Sequence, residues 1–260
     1  MKQYFNYHTH TYRCNHARGD IDDYCQEAVK LQMKSLGFSD HTPLPNERWP
    51  NVRMHMDELA EYCEQIDLAK EKFPQLNIYK GLECEFDINL VNFYQDILLG
   101  KHKLEYLIGS VHWFPVGSTW LNSWRAPANV ANLLAYSNYI IKIMESKLFS
   151  FIAHPDLFAA FYPEQNKNSE QCAIDIITAA SELNIPLEIN GYGLEKKQIK
   201  TSSGWRNQYP WEPFWEIAGD YNIRVVANSD AHKPSNVYGK IDEAIEVAEK
   251  FNLQVIDIFK

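Results

Sequence analysis

The 260-residue chain lacks several features that mark whole classes of protein. It has no run of eighteen apolar residues, so we expect no membrane-spanning helix, and its first residues contain no apolar signal region. No basic run is longer than Lys196-Lys197, and the net charge is −9. Because duplex nucleic acid requires a broad basic face, long nucleic acid is not the expected partner. A small anionic substrate is compatible with this charge, because bound metal ions supply positive charge locally.

Cysteine is scarce, and its spacing shows no pairs. There are five cysteines, an odd number, and none forms a CxxC motif. This pattern predicts reduced thiols in a cytoplasmic protein rather than a disulfide framework. Cys14 and Cys84 lie near the histidine motifs described below. They are candidate metal ligands, but small buried apolar side chains are the favoured interpretation.

Linkers, repeats and low-complexity tracts are also absent, so residues 1–260 predict a single domain. Short apolar segments alternate with longer segments of helical period, which is typical of parallel strands covered by helices. The chain length is normal for an α/β barrel of this kind. The predicted strands are Gln3–Tyr7, Ser35–Ser39, Asn77–Glu83, Tyr106–Val111, Phe149–Ala153, Pro186–Ile189 and Arg224–Ala227, with Gln254–Ile258 as a candidate eighth.

Apolar residues recur with a period near 3.6 in six segments, and these predict helices. The first runs over residues 21–31 and follows Asp20, a residue suited to an N-cap. The others are Asp57–Phe73, Val130–Ser146, Glu170–Leu183, Trp211–Tyr221 and Ile241–Phe251. Two long segments, His41–Met56 and Gly191–Pro210, predict irregular loops, and loops of such length are usually functional.

Histidines and carboxylates follow the predicted strands at their C-terminal ends, where parallel barrels place their sites. His8 and His10 alternate in a strand, so both imidazoles point to one side, roughly 6–7 Å apart. His16 follows in a loop that can fold back. Further strand ends carry the remaining candidates, which are His41, Glu83, His112, His154, Asp230 and His232.

Seven of the nine histidines occupy these positions, whereas His55 and His102 lie elsewhere and predict solvated surface side chains. A single histidine at such a position can be explained as a hydrogen-bonded residue at a strand end. Seven neutral imidazoles without a common function, however, would not gather on one face. Imidazole and carboxylate together suit Zn, Mn or Fe. The number of ligands exceeds the four to six that one ion usually takes, so we expect two or three divalent ions. Such a cluster favours phosphoryl transfer, with amide or amidine hydrolysis as the competing use.

These motifs, in this order, resemble those of the polymerase-and-histidinol-phosphatase (PHP) superfamily. The resemblance runs through His8-Thr9-His10 with His16, Ser39-Asp40-His41, Gly81–Glu85, Gly109–His112, Ala153–Pro155 and Ser229–His232. Within the superfamily the chain is most similar to the histidinol-phosphate phosphatases. That narrower likeness depends on Phe38–Pro45, Arg53-Met54, Gly81–Glu85 and Ser110–Phe114. The resemblance implies a distorted, seven-stranded (β/α) TIM-like barrel.

The resemblance also implies a trinuclear site. The first ion would be held by His8, His10, Glu83 and Asp230. Glu83 would bridge to a second ion held by His112 and His154, and the third would be held by His16, His41 and His232. The predicted catalytic residues are Glu83, Asp230 and His232. The implied reaction is hydrolysis of L-histidinol phosphate to L-histidinol and phosphate, a step of histidine biosynthesis, by attack of a metal-bridging hydroxide.

The chain differs from what the resemblance implies at one place where a cationic side chain is expected to bind the phosphate, because residues 157–161 contain no cation. Arg206 is the first candidate phosphate contact, since a guanidinium fork fits phosphate oxygens. Arg18 and Lys197 are further candidates. Glu85 is a candidate for an ammonium group of the substrate. For each of these residues, a solvated charge is the alternative interpretation.

Three other functions stay open. The first is a PHP phosphoesterase that acts on nucleotides, short oligonucleotides or sugar phosphates. The second is a non-catalytic metal-binding module that serves a partner, against which the full ligand set weighs. The third is an amidohydrolase-like enzyme, which would usually have a metal-binding lysine at a strand end, and the sequence has none there. The expected partner is a small phosphorylated substrate, and the sequence leaves the oligomeric state open.

Overall fold

Strands and helices alternate along the described part of the computed structural model, residues 3–260. The strands are β1 (Phe5–Asn6), β2 (Ser35–Phe38), β3 (Asn77–Glu85), β4 (Tyr106–Ser110), β5 (Trp113–Val116), β6 (Thr119–Asn122), β7 (Phe151–Ile152), β8 (Leu187–Asn190), β9 (Ile199–Thr201), β10 (Gly204–Arg206), β11 (Arg224–Asn228) and β12 (Gln254–Val255). The α-helices are α1 (Ile21–Lys30), α2 (Leu59–Lys72), α3 (Val130–Glu145), α4 (Phe158–Phe161), α5 (Lys167–Leu183), α6 (Gly191–Glu195), α7 (Glu212–Ala218) and α8 (Ile241–Lys250). Short 3-10 helices occupy Tyr12–Cys14, Pro50–Val52, Ile88–Leu90 and Pro234–Asn236, and a π-helix occupies Phe93–Lys101.

These elements belong to two units. The first unit comprises the described residues up to Ile108 together with Asn228–Asp242, and the second comprises Gly109–Ala227 with Glu243–Lys260. The single domain expected for residues 1–260 stays a prediction, and residues 1–2 of it lie outside the described part. Within residues 3–260, none of the helices combines the length and apolar character needed to cross a membrane.

The first unit is built on parallel pairing. β1 pairs with β2, placing Phe5 opposite Ser35, and β2 pairs with β3, with β4 next in order. Beyond β1, Thr9 forms a parallel bridge with Ala231. Because parallel strands end at the same edge, the residues that follow them lie together at that edge.

A tyrosine fills the space between strands of this unit. The hydroxyl of Tyr106 lies 2.8 Å from the carbonyl oxygen of Tyr7 and 3.0 Å from that of Phe38. Gly37 and Gly81 make room for its ring, because a Cβ at either position would lie within 2.4 Å of a Tyr106 side-chain atom. Any larger residue at these two positions would displace this ring.

In the second unit, the last residues of β4 neighbour β7, and the amide of Ala153 donates to the carbonyl of Gly109 at 2.9 Å. β7 runs parallel to β8, and β11 runs parallel to β12. Two antiparallel hairpins, β5–β6 and β9–β10, lie outside this order. The second unit therefore repeats the parallel arrangement and adds two hairpins.

Helix α1 shows why the predicted helices form. Asp20 caps it by accepting from the Ile21 amide, and Asp23 completes a capping box, which satisfies amide groups at the helix start. Its buried residues, Ile21, Tyr24, Cys25 and Ala28, recur at helical spacing, so they form one apolar stripe. The predicted Asp20 cap and the first helix are confirmed.

All eight predicted strands are present, including the candidate eighth at β12, and all six predicted helices are present. The interpretation of residues 191–210 as irregular was wrong, because they contain α6 and the β9–β10 hairpin. The strands β9 and β10 are exposed or half-buried, so they lack the continuous apolar run that marked the predicted strands. The hairpin β5–β6 was also missed.

Candidate metal centre

Seven of the nine predicted ligands belong to the first unit. The four that the resemblance assigns to one ion form its buried part: His8, His10, Glu83 and Asp230, each at most 5% exposed. The Nε2 atoms of His8 and His10 lie 3.3 and 3.4 Å from Glu83 Oε2. They lie 3.5 and 3.1 Å from Asp230 Oδ1. The structure therefore brings these four side chains together.

Alternation in the strand explains how His8 and His10 meet. Their ring centroids are 5.1 Å apart, as expected for side chains on one side of an extended segment. Nε2 of His10 faces the Glu83 and Asp230 carboxylates, whereas its buried Nδ1 has no hydrogen-bond partner within residues 3–260. Burying such a group without a partner costs free energy. A cation bound through an imidazole lone pair removes that cost, so the residues present fit a metal ion.

Asp230 carries the charge that complements such a cation. Burial on its own raises the pKa of Asp230, but the adjacent His8 imidazole and a hydrogen bond with His10 hold it well below the usual value. The carboxylate is therefore ionised at neutral pH. Its backbone lies in the left-handed region, with φ of 49°, where residues other than glycine are uncommon. Such strain is frequent where a side chain must be aimed at a site.

The three residues assigned to another ion also lie in this unit. The His41 Nδ1 atom is 3.0 Å from Glu83 Oε2, and the His41 ring stacks on that of His16 with centroids 5.4 Å apart. His10, His41 and His232 each offer a ligand atom, and these atoms lie within 4.8 Å of one another. The histidines of the two predicted ligand sets are thus neighbours.

The tautomers of His16 and His232 follow from their hydrogen bonds. His16 Nδ1 lies 2.6 Å from the carbonyl oxygen of Cys14, and His232 Nδ1 lies 2.9 Å from that of Asp230. A carbonyl can only accept, so each Nδ1 carries the proton. Burial lowers the pKa of His232 to about 3, so its imidazole is neutral. Both Nε2 atoms therefore present lone pairs, which is the arrangement that a shared metal ion requires.

Asp40 supports the loop that carries His16. It is fully buried, and its two carboxylate oxygens accept from the amide and the hydroxyl of Thr11 at 2.9 and 2.8 Å. Thr11 in turn caps the 3-10 helix Tyr12–Cys14, which leads directly to the His16 loop. Burial raises the pKa of Asp40 to about 6. Sequence reasoning quoted this residue in a motif but gave it no role; its place directly before His41 was the available signal.

The second unit brings His112 and His154 together, with ring centroids 4.9 Å apart. The Trp124 ring stacks on His112 at 5.5 Å. His154 adopts a positive φ of 29°, and its amide donates to Glu188 Oε2 at 3.2 Å. No role was predicted for Glu188, a buried carboxylate between Leu187 and Ile189 in β8. That position is itself unusual, since buried carboxylates are rare without partners.

Two of the residues predicted to contact the substrate, Arg206 and Lys197, belong to the second unit. In the second unit, Arg206 donates to four main-chain carbonyl oxygens, those of Ala159, Pro163, Asn207 and Gln208. These bonds occupy both terminal nitrogens of the guanidinium group. They indicate that Arg206 holds its loop together. The contact between Arg206 and phosphate stays a prediction, and it would require some of these bonds to break. Lys197, in the same unit, is exposed.

In the first unit, Glu85 is buried in an ion pair, because its Oε2 accepts from Arg53 Nη2 at 2.8 Å. A carboxylate held in this way has a partner already, which weakens the idea that it binds a substrate ammonium group. Arg18 is exposed, and its amide donates to the carbonyl of His232 at 2.9 Å. The main chain of Arg18 is thus fixed beside a predicted ligand, and its contact with phosphate stays a prediction.

The family model described as PHP domain matches residues 6–191. The chain belongs to the PHP domain family. The resemblance noted in the sequence is thereby confirmed, and the residues of this PHP domain include several groups that can hold a metal ion.

Two relatives of this PHP protein are similar over most of their length. A protein of Deinococcus radiodurans named "Probable histidinol-phosphatase" is 28% identical over 258 residues, covering 92% of this chain and 90% of the relative. The histidinol-phosphatase of Bacillus subtilis is 32% identical over 261 residues, covering 88% and 94%. The narrower likeness to histidinol-phosphate phosphatases is thus confirmed as a likeness.

A solved structure shows the fold. The PHP protein superposes on the histidinol phosphate phosphatase of Lactococcus lactis, which was solved with zinc, L-histidinol and phosphate. The TM-score is 0.75 with 15% identity, covering 98% of this chain and 95% of the other. The predicted α/β, TIM-like fold is confirmed.

Proposed function

We propose that this PHP protein is a metal-dependent phosphomonoesterase that hydrolyses L-histidinol phosphate to L-histidinol and phosphate. The observation that carries the proposal is the set of seven histidine and carboxylate side chains, of the kind that bind metal ions, gathered in the first unit. The names of the Deinococcus and Bacillus relatives support the choice of substrate. The Lactococcus structure supports it further, because that enzyme was solved with both products of this reaction and with zinc.

The ligands are divided as the resemblance implied. His8, His10, Glu83 and Asp230 hold one ion. His16, His41 and His232 hold another. Within the second unit, His112 and His154 hold a further ion. Ions bound by these groups supply Lewis-acid chemistry, because they make a water nucleophilic near neutral pH, neutralise phosphoryl oxygens and stabilise the leaving oxygen.

The protein's own groups orient and shield this centre. The carbonyl oxygens of Cys14 and Asp230 fix the tautomers of His16 and His232, so that Nε2 of each is the ligand atom. Burial of His8 and His10 keeps bulk water from competing for the buried ligand set. Glu83, Asp230 and His232 are the proposed catalytic residues. Asp230 Oδ1 lies 3.5 Å from His232 Nδ1, and Glu83 Oε2 lies within 3.4 Å of the Nε2 atoms of His8 and His10.

Steady-state phosphate release tests the proposal. We expect protein loaded with Zn or Mn to hydrolyse L-histidinol phosphate with a kcat/KM of about 10⁴ M⁻¹s⁻¹ or more, far above that for a nucleoside monophosphate. Asp230→Asn should reduce turnover by about a hundredfold or more, because it removes an anionic ligand. His55→Ala, an exposed residue outside the centre, is the matched control and should leave turnover unchanged.

Equal rates on the nucleotide and on L-histidinol phosphate would contradict the proposed substrate. The protein would then be a PHP phosphoesterase with a broader range of substrates. Normal turnover in Asp230→Asn would contradict the proposed centre. The choice among Zn, Mn and Fe, the number of ions and the cytoplasmic location stay predictions.

A further inference from the structure

A buried thiol lies among the proposed metal ligands. The side chain of Cys14 is 0% exposed. Its Sγ and a ring nitrogen from each of His16 and His232 lie within 4.8 Å of one another. Ligand atoms that share one ion are separated by less than the sum of two metal–ligand bonds, about 4.4 Å for sulfur and nitrogen on zinc. Small adjustments of the three side chains therefore suffice for a common ion.

A second group points to the same place. Cys14 Sγ also lies within 4.8 Å of a ring nitrogen of His10 and a carboxylate oxygen of Asp40. His10 is fully buried, and within residues 3–260 its Nδ1 has no hydrogen-bond partner. A buried imidazole nitrogen without a partner is costly unless a cation or a proton lies beside it. Cys14 thus lies near three proposed ligands, His10, His16 and His232.

The main chain around Cys14 places its sulfur beside His16. Burial raises the pKa of the Cys14 thiol to about 12, and the amides of His16 and Ala17, which face the sulfur, offset part of that rise. The same short loop supplies His16, whose Nδ1 bonds to the Cys14 carbonyl oxygen at 2.6 Å. One loop therefore presents an imidazole nitrogen and a sulfur to the same space.

We propose that Cys14 is a third protein ligand, through its sulfur, of the ion that His16 and His232 hold. The proposal depends on the metal centre described under Proposed function. On binding, the Cys14 thiol releases its proton to solvent, a sulfur–metal bond forms, and no electron is transferred. A thiolate added to two imidazoles makes this position selective for softer ions such as Zn over Mn or Mg.

Absorption spectroscopy of the cobalt-loaded protein tests the proposal. Co²⁺ bound only by nitrogen and oxygen gives visible ligand-field bands, whereas a thiolate adds an intense near-ultraviolet sulfur-to-cobalt band. We expect both kinds of band in the natural protein. Cys14→Ser should keep the visible bands, lose the near-ultraviolet band, and bind its weakest ion about tenfold less tightly or worse. Cys14→Ala serves as a second variant should the serine variant misfold.

Cys25→Ser is the matched control, because Cys25 is equally buried in the first unit and belongs to none of the ligand groups found among residues 3–260. It should retain the near-ultraviolet band. If the natural protein shows visible bands but no near-ultraviolet band, Cys14 is not a ligand and the metal centre stands. The same conclusion follows if the near-ultraviolet band survives in both Cys14 variants. Complete absence of cobalt bands would overturn the centre itself, and this proposal with it.

Discussion

His16 Nε2 and His232 Nε2 face each other across 3.1 Å. Each ring donates its Nδ1 proton to a main-chain carbonyl oxygen, so two lone pairs point into the same space. Two acceptors at this distance repel each other unless a proton or a metal ion lies between them. The pair joins residues 216 positions apart in the sequence, so it forms only when the chain is folded.

The first prediction concerns this pair. We expect His16→Ala to fold normally, because His16 is exposed, and to lose one bound ion per chain. Turnover should fall by about tenfold or more, because a ligand is removed while the buried set is retained. Elemental analysis of the dialysed protein measures the loss. An unchanged metal content, equal to that of the His55→Ala control, would remove His16 from the ligands.

The second prediction concerns Asp40, which positions the loop of His16 through Thr11. Asp40→Asn keeps one acceptor oxygen and loses one bond, so we expect a loss of about 1–3 kcal/mol in the free energy of unfolding. The ion held by His16 should be released before the one held by His8 and His10. Thr11→Val removes the hydroxyl bond to Asp40 and the bonds that this hydroxyl accepts from Arg13, but keeps the amide bond to Asp40. It should show the same order of release. Simultaneous release of all ions would contradict a positioning role.

The third prediction concerns Glu188, which accepts from the amide of His154 and from Asn190 Nδ2 at 2.8 Å. His154 holds an unusual positive φ, and such strain persists only where neighbours enforce it. We expect Glu188→Ala to weaken metal binding at His112 and His154 by about tenfold, and Glu188→Gln, which keeps an acceptor oxygen, to restore part of it. Calorimetric titration with Zn measures both. Equal affinities in the alanine variant and the natural protein would exclude this role.

The sequence predicted which candidate side chains of the first unit lie together, because their signal is periodic and local. His8 and His10 alternate in a strand, and the others follow strands whose apolar runs are clear. Parallel pairing then determines which edge these residues share. The strands were correct for the same reason, and β12 was found from a run of only a few residues.

The supporting contacts could not be predicted in this way. The bond between Asp40 and Thr11, and that between Glu188 and His154, join side chains to main chain across 29 and 34 residues. No periodic pattern specifies which carboxylate accepts from which amide. Arg206 shows the converse problem, because a cation in a functional loop is indistinguishable in sequence from a cation that holds that loop together.

The fourth prediction separates these two roles for Arg206. Because its terminal nitrogens bond to four carbonyl oxygens, we expect Arg206→Ala to lower the free energy of unfolding by about 1–3 kcal/mol with KM unchanged. Arg18→Ala removes an exposed cation, so it should leave stability unchanged and raise KM if Arg18 contacts the phosphate. Thermal unfolding and steady-state kinetics on both variants measure this. A raised KM with normal stability in Arg206→Ala would restore the phosphate contact.

The last prediction concerns pH and Asp156, a buried carboxyl group that accepts from the Trp211 amide at 2.5 Å and from Trp215 Nε1 at 2.9 Å. Burial raises the pKa of Asp156 to about 7, above the ordinary value of about 3.9 that it regains on unfolding. The folded protein thus holds this proton more tightly than the unfolded chain does. The resulting stabilisation is complete below about pH 4 and is lost as the pH rises to about 7.

Asp156→Asn removes this titration. The free energy of unfolding of the metal-free protein should therefore fall from pH 5 to pH 8 by more in the natural protein than in Asp156→Asn. Urea unfolding at both pH values measures the difference, and metal-free protein is used so that metal binding does not contribute its own pH dependence. Asp175→Asn, in an exposed pair with Gln171 on α5, is the control and should follow the natural protein. An equal decline in all three proteins would show that Asp156 is ionised throughout, held so by the two donors that face it.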